Sequence, residues 1–187
     1  MLIVCGFIVI TIHGFLTALT SSLLGDDIPK RNGMLTLNPI KHFEPIGFIL
    51  FVIFNGCGWG QPVRTSNYNY KNRKAGAVIT ALAPVVIGFV YGFAVLRAYP
   101  LAYKITGNPY VSSFCYTLGY RAMGFAVFNL IPVYPLNGHK LLTAVLSPNN
   151  VLKYNQMEKI LQYILVFAVL FGLVGDVINF ILLHIAG

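Results

Sequence analysis

Three polar side chains lie inside long apolar stretches of the sequence, where they could take part in chemistry: His13, Arg121 and Asp176. Ionisable groups inside a membrane are costly, so each calls for a partner or a function. A single histidine in such a stretch is more often a hydrogen-bonded packing residue than a metal ligand. We expect Arg121 and Asp176 to lie at similar depth and to form a structural ion pair. The alternative is that one of them lines a polar path for a substrate.

The composition indicates that these stretches are covered by lipid. The chain is 57% hydrophobic and 10% charged, with a mean hydropathy of +0.73, whereas a soluble domain is about a quarter charged. The net charge of +8 comes from basic residues that lie between the apolar runs. It therefore favours loops beside an anionic lipid leaflet and not a nucleic-acid partner. Cys5, Cys57 and Cys115 form no CxxC motif and are predicted to be buried thiols.

The apolar runs predict an all-α polytopic membrane protein, with residues 1–187 as a single membrane domain. Four stretches reach the ~20 residues that a spanning helix needs: about 1–24, 75–97, 111–136 and 160–186. The first is read as a retained helix and not a signal peptide, because it lacks a basic start and a cleavage site. A fifth run, about 45–57, is shorter and follows Pro45, so we predict a re-entrant segment.

The distribution of basic residues predicts the orientation. With a re-entrant fifth run, the loops 25–44, 60–74 and 137–159 share one side and carry ten Lys and Arg, against Arg97 and Lys104 on the other. If the fifth run spans, the split falls to seven against five. The positive-inside rule therefore favours basic loops in the cytoplasm and both termini outside, in the cell membrane of a prokaryote.

Two further patterns predict local structure. Residues 34–38 alternate in polarity and residues 59–63 follow a glycine-rich turn, so both are predicted as short β-strands that flank the re-entrant run and could pair. Gly88 and Gly92 form a GxxxG pattern, which favours close helix packing in the second span.

Several sequence blocks in a fixed order resemble the site-2 proteases, which are intramembrane zinc metallopeptidases. The segment His13-Gly14-Phe15-Leu16-Thr17 stands where that family has HEFAH, followed by blocks that resemble LGD, GRLTLNPLKH, GWAKPV, ALAGP and FNLIPIPPLDG. These lie at 25–27, 33–42, 58–63, 81–84 and 128–138. At the family's spacing they cover most of residues 8–140, so the resemblance implies the family's membrane core.

The resemblance also implies which residues would do the chemistry, and most are missing. In the active family two histidines and an aspartate bind zinc, and a glutamate activates the zinc-bound water. Here His13 is retained, but Gly14 stands at the glutamate, Thr17 at the second histidine and Asn137 at the aspartate. No intact catalytic set and no bound zinc are therefore expected.

A rebuilt metal site is the alternative, using His13 and His139 with Asp26 or Asp27. We disfavour it, because the predicted topology puts His13 near mid-membrane and His139 at the cytoplasmic end.

The function predicted from these departures is that of a pseudoprotease. Such a scaffold would bind or regulate a membrane protein or transmembrane peptide by strand addition. The partner-binding residues predicted from the matching blocks are Trp59, Gln61, Val63, Asn129 and Pro132. Two alternatives remain: an active intramembrane zinc metallopeptidase with an altered site, and a transport or channel-like subunit that uses Arg121 and Asp176.

Overall fold

The fold is that of a helical bundle in the computed structural model, which describes residues 1–186 and side chains as far as Ile185. Eleven α-helices are present in this part of the chain. In order they are α1 (Leu2–Leu23), α2 (Ile28–Arg31), α3 (Pro39–His42), α4 (Pro45–Ile53), α5 (Arg73–Arg97), α6 (Tyr99–Thr106), α7 (Pro109–Phe128), α8 (Asn137–Val145), α9 (Pro148–Gln156), α10 (Glu158–Leu170) and α11 (Leu173–Ala186).

Several helices begin where the sequence supplies a side-chain cap. Asn38, Asn72 and Asn108 each accept a hydrogen bond from a backbone N–H in the first turn of α3, α5 and α7. The Glu44 carboxylate accepts two such bonds at the start of α4. Three of these helices also have proline in the first turn, where its missing N–H costs nothing. The caps of α3 and α4 position the loop 38–44, which carries His42.

The α5 and α7 helices pack closely through glycine. A Cβ atom on Gly119 would lie 2.6 Å from the Gly92 carbonyl oxygen, so only glycine allows this backbone approach. The predicted close packing is confirmed at Gly92, whereas a Cβ on Gly88 would lie an ordinary 4.0 Å from Ala126 Cβ. Helix α1 packs against both α5 and α7, and His13 in the middle of α1 contacts Phe125 near the end of α7.

Two helices, α1 and α5, are long and apolar enough to cross a membrane. The α10–α11 pair would be a third span if the two helices together form one span, although they are bent by 68° after Leu170. The predicted count of four spans is therefore not supported. Helix α7 ends at Phe128 and not at residue 136, because the Asn-Leu-Ile-Pro sequence that follows forms a turn. The α10–α11 stretch breaks at Gly172, which has a φ of +77°.

The two predicted β-strands are not formed, and residues 1–186 contain no strand. Met34 and Val63 are both buried, but they pack side by side on Ala18 of α1 instead of pairing along the backbone. The backbone N–H of Gln61 donates to the His42 carbonyl at 2.8 Å. Pro62 has no N–H to give. The backbone groups of these segments are thus used elsewhere.

Helix α4 has nine residues, too few to cross a bilayer. After it the chain turns through Asn55 and Gly56, whose φ angles are +50° and +95°. A Cβ on Gly56 would lie 2.9 Å from the Arg121 carbonyl oxygen, so the turn is pressed against α7. A re-entrant path for residues 45–57 stays a prediction.

Candidate functional site

A small cavity lies where α1, the segment 59–63, the end of α7 and the start of α8 meet. Its volume is about 30 Å³, enough for about one water molecule. The structure brings eight of the sequence-predicted residues to its wall: His13, Gly14, Thr17, Trp59, Gln61, Val63, Asn129 and Asn137. The residues aligned with the motif and most of the predicted binding residues therefore share one place in the fold.

Pro132 is the predicted binding residue that lies outside this cavity. It is exposed, and its carbonyl accepts a hydrogen bond from the Tyr154 hydroxyl. The turn that carries it thus contacts α9 and not the site.

His13 and Thr17 lie one turn apart on α1, as the motif spacing requires. The Thr17 hydroxyl donates to the His13 carbonyl at 2.9 Å, so it bonds its own helix. The His13 ring packs edge-on against Phe125, with centroids 5.1 Å apart. Its Nε2 atom is buried without a hydrogen-bond partner among the described residues, although the Asn137 side chain lies beside the ring.

The space beside Gly14 is filled by the side chain of His42. A Cβ atom on Gly14 would lie 2.2 Å from His42 Nδ1 and 2.9 Å from two ring carbons. The ring is fully buried, and its Nε2 lies 2.8 Å from the Thr36 carbonyl. Since a carbonyl can only accept, Nε2 carries the proton and Nδ1 is the acceptor. The position where the family has glutamate therefore faces a fixed imidazole.

Burial keeps this imidazole neutral. It lowers the pKa of His42 below the ordinary histidine value, and the bond to Thr36 offsets only part of the shift. The Nδ1 atom has no hydrogen-bond partner in the described chain. Our sequence reasoning did not select His42, although it ends the block 33–42 that the resemblance rests on.

Two asparagines hold the turn between α7 and α8. Asn137 Nδ2 donates to the Ala81 carbonyl on α5 at 2.9 Å, and Asn129 Nδ2 donates to the Phe125 carbonyl at 2.8 Å. Next to Asn137, the Gly138 N–H donates to the Asn129 carbonyl at 2.8 Å. Asn137 thus ties α8 to α5 through its amide, a bond that an aspartate could not donate at neutral pH.

Lys140 is a site residue that our sequence reasoning missed. It follows Asn137 by three positions on α8, lines the cavity and donates from Nζ to the Val63 carbonyl at 2.8 Å. Burial lowers the pKa of Lys140 to about 8, against a weaker opposite effect of Asp26. The spacing from Asn137 was the available signal, because residues three apart share a helix face.

The residues around this cavity do not fit a zinc ion. Within residues 1–186 no three His, Cys, Asp or Glu side chains are grouped so as to hold a metal. Of the cavity's lining residues His13 alone is a good zinc ligand, whereas a catalytic zinc normally has three protein ligands. The lining also includes Lys140, whose positive charge opposes a bound cation.

Of the substitute ligands, Asp27 is exposed and does not line the cavity, while Asp26 and His139 make other contacts. The carboxylate of Asp26 accepts four hydrogen bonds, from Ser21, Asn69 and two backbone N–H groups. Burial alone would raise the pKa of Asp26, but these bonds together lower it. His139 lies 5.3 Å from the Tyr154 ring in a stacked pair. Asp26 therefore serves to fasten the loop 65–69 to the end of α1.

In place of the predicted ion pair, Arg121 binds the end of α4. Its Nη1 donates to the carbonyls of Phe51 at 2.8 Å and Val52 at 3.1 Å. Asp176 is exposed in the first turn of α11 and is not among the recorded partners of Arg121. The last carbonyls of a helix carry partial negative charge, which suits a buried guanidinium.

Comparison with known proteins identifies a relative over most of the chain. A Bacillus subtilis (strain 168) protein named "Putative zinc metalloprotease YwhC" is 30% identical over 176 residues, which cover 91% of this chain and 79% of that protein. No family model and no solved structure matches. At this identity and coverage, the chain belongs to the same metalloprotease-like family as the Bacillus subtilis protein.

Proposed function

We propose that this chain is a catalytically inactive member of the site-2 protease family that binds or regulates a membrane partner. The observation that carries the proposal is the His42 ring against Gly14, with Nδ1 only 2.2 Å from where a Cβ would lie. In this structure the His42 imidazole, and not a carboxylate, occupies the space beside position 14. The sequence has glycine at position 14, so this site lacks the glutamate that the resemblance assigns as general base.

The size of the catalytic loss supports an inactive protein. Removal of a general base typically lowers a rate by about 10² to 10⁴. Thr17 uses its hydroxyl within α1, and Asn137 uses its amide on Ala81. Of the three zinc-ligand positions in the family, His13 alone keeps a good ligand, so we expect no resident zinc.

A second cavity supports the binding part of the proposal. It has a volume of about 330 Å³ and lies between α4, the segment 59–62, the turn at 134–135 and α10. Trp59 borders both this cavity and the small one. Ile46 and Tyr163 line it with side chains that are 61% and 75% exposed. An apolar opening beside the former catalytic site suits an extended or helical membrane segment.

The remaining membrane features are part of the same proposal. We place the chain in the cell membrane of a prokaryote, with α4 as a re-entrant segment and both termini outside. The cavity would then open toward the cytoplasmic surface, where a partner's juxtamembrane segment could enter.

Site-specific photo-crosslinking in native membranes tests this proposal. A photoreactive phenylalanine analogue at Gln61, an exposed residue of the small cavity, should crosslink one saturable membrane partner. The matched control is the same analogue at Tyr110, which is 81% exposed and eighteen residues from Phe128 along α7, about 27 Å away. Equal crosslinking at both positions, or none at Gln61, would contradict a binding role for the site.

The second candidate function is an active intramembrane zinc metallopeptidase with an altered site. The name of the Bacillus subtilis relative favours it. Cleavage of a model transmembrane substrate that is blocked by a chelator and by His13→Ala would establish this function and overturn the first.

A further inference from the structure

A third cavity adjoins the two already described. It has a volume of about 530 Å³ and lies between the loop 62–70, the first turns of α5 and the start of α8. This size is typical of small-molecule sites. Lys140 stands on the wall between this cavity and the small one, since it borders both.

The wall of this cavity is cationic. Arg64 and Lys140 line it together with His139, and none of its lining residues is acidic. Within residues 1–186 no carboxylate is recorded in an ion pair with either cation. Asp26 is the acid whose charge acts on Lys140. It is fully buried, and its carboxylate oxygens accept hydrogen bonds from Ser21, Asn69 and backbone N–H groups.

Hydroxyl-bearing residues also line this space. Thr80 is 1% exposed, and its hydroxyl has no hydrogen-bond partner in the described structure. His139 Nδ1 is likewise buried without a partner among those residues. Both atoms are closed to solvent, so their side chains would have to turn toward the cavity before a ligand could bind them. Thr65 and Ser66 add further hydroxyl groups on the loop side.

From these features we propose that the cavity binds a phosphate-bearing anion, held by Arg64 and Lys140 and by the hydroxyl groups opposite them. A phosphate group offers three or four oxygens at once, which matches two cations and several hydroxyl donors better than a single carboxylate does. Tyr68, Tyr70 and Tyr134 also line the cavity and leave an apolar side for the body of the ligand. The phosphate could belong to a soluble molecule or to a lipid headgroup.

Two probes distinguish these sources on the purified full chain in a neutral detergent. The soluble probe is inorganic pyrophosphate, titrated by calorimetry. The lipid probe is phosphatidic acid, with phosphatidylcholine as the neutral comparison, and retained lipid is counted by native mass spectrometry. Saturable binding of either phosphate probe supports the proposal and names the source.

Matched variants locate the binding. Arg64→Met and Lys140→Met should each weaken the probe that binds by about tenfold or more, the value of one charge-assisted contact. Lys153→Met removes the same charge from an exposed position on α9 and should bind like the parent protein. If Lys140→Met fails to fold because its bond to Val63 is lost, Arg64→Met decides, since Arg64 is exposed. Absence of saturable binding by both probes, or unchanged affinity in Arg64→Met, would overturn the proposal.

Discussion

The contact between Gly14 and His42 predicts strong energetic coupling between these two positions. In the parent protein, Gly14→Ala would place a Cβ 2.2 Å from His42 Nδ1, more than 1 Å inside the 3.4 Å at which ordinary contacts begin. The ring cannot easily move away, because it is fully buried and its Nε2 bonds the Thr36 carbonyl. The added methyl group should therefore destabilise the protein.

The expected magnitudes follow from two opposing effects. Overpacking in a filled interior costs about 1–3 kcal/mol, while alanine is favoured over glycine inside a helix by about 1 kcal/mol. Gly14→Ala should thus lower the free energy of unfolding by up to about 2 kcal/mol. In a His42→Ala background the clash is gone, and the same change should raise stability by up to about 1 kcal/mol. The helix-propensity gain cancels between the two backgrounds, so the coupling energy equals the overpacking cost of about 1–3 kcal/mol.

The assay is a double-mutant cycle in mild detergent, with unfolding followed by the fluorescence of Trp59. This is the one tryptophan of the chain, and it lines the same cavity. Gly175→Ala is the matched control, because a Cβ at this α11 position would meet nothing within 4 Å. It should have the same effect in both backgrounds. A coupling energy between positions 14 and 42 below about 0.5 kcal/mol would refute the steric argument.

Three further predictions concern charged groups outside that contact. Asp26→Asn should lower the free energy of unfolding by about 2 kcal/mol at neutral pH. Because the folded-state pKa of Asp26 is lowered, the difference in stability between parent and variant should shrink as pH falls through the carboxylate range. A difference that does not change with pH would contradict this. Arg121→Met should lower the free energy of unfolding by about 2–3 kcal/mol, because the Phe51 and Val52 carbonyls lose their donor. Asp176→Asn should change it by less than about 0.5 kcal/mol. Equal effects of the two variants would support the Arg121–Asp176 ion pair instead. Burial lowers the pKa of Lys140 in the folded protein to about 8. The parent should therefore gain stability relative to Lys140→Met as pH rises from 8 toward 10. A stability difference between the two proteins that stays constant over this range would contradict the prediction.

The composition and the block order predicted much of the site. Apolar runs located α1 and α5, and the motif blocks identified the residues that surround the small cavity, such as His13, Trp59 and Asn129. The prediction of α1 and α5 succeeded because an apolar run long enough to span is a local property of the chain. The motif blocks located the site residues because their order reflects a whole scaffold and not one contact.

Three features that we did not predict involve contacts between distant segments. The alternating pattern at 34–38 predicts a strand, but Met34 is buried on α1, and local periodicity does not distinguish these outcomes. Arg121 was paired by charge with Asp176, whereas the structure satisfies it with backbone carbonyls of α4, which any sequence could supply. The approach of His42 to Gly14 depends on how the capped loop 38–44 returns to α1.

The zinc content of the purified protein tests the central claim most directly. The full chain would be incubated with excess zinc in mild detergent, desalted and measured by plasma mass spectrometry, with His13→Ala alongside. We predict far less than one zinc per chain and no difference between the two proteins. One zinc per chain in the parent protein, lost in His13→Ala, would contradict the account of an inactive site.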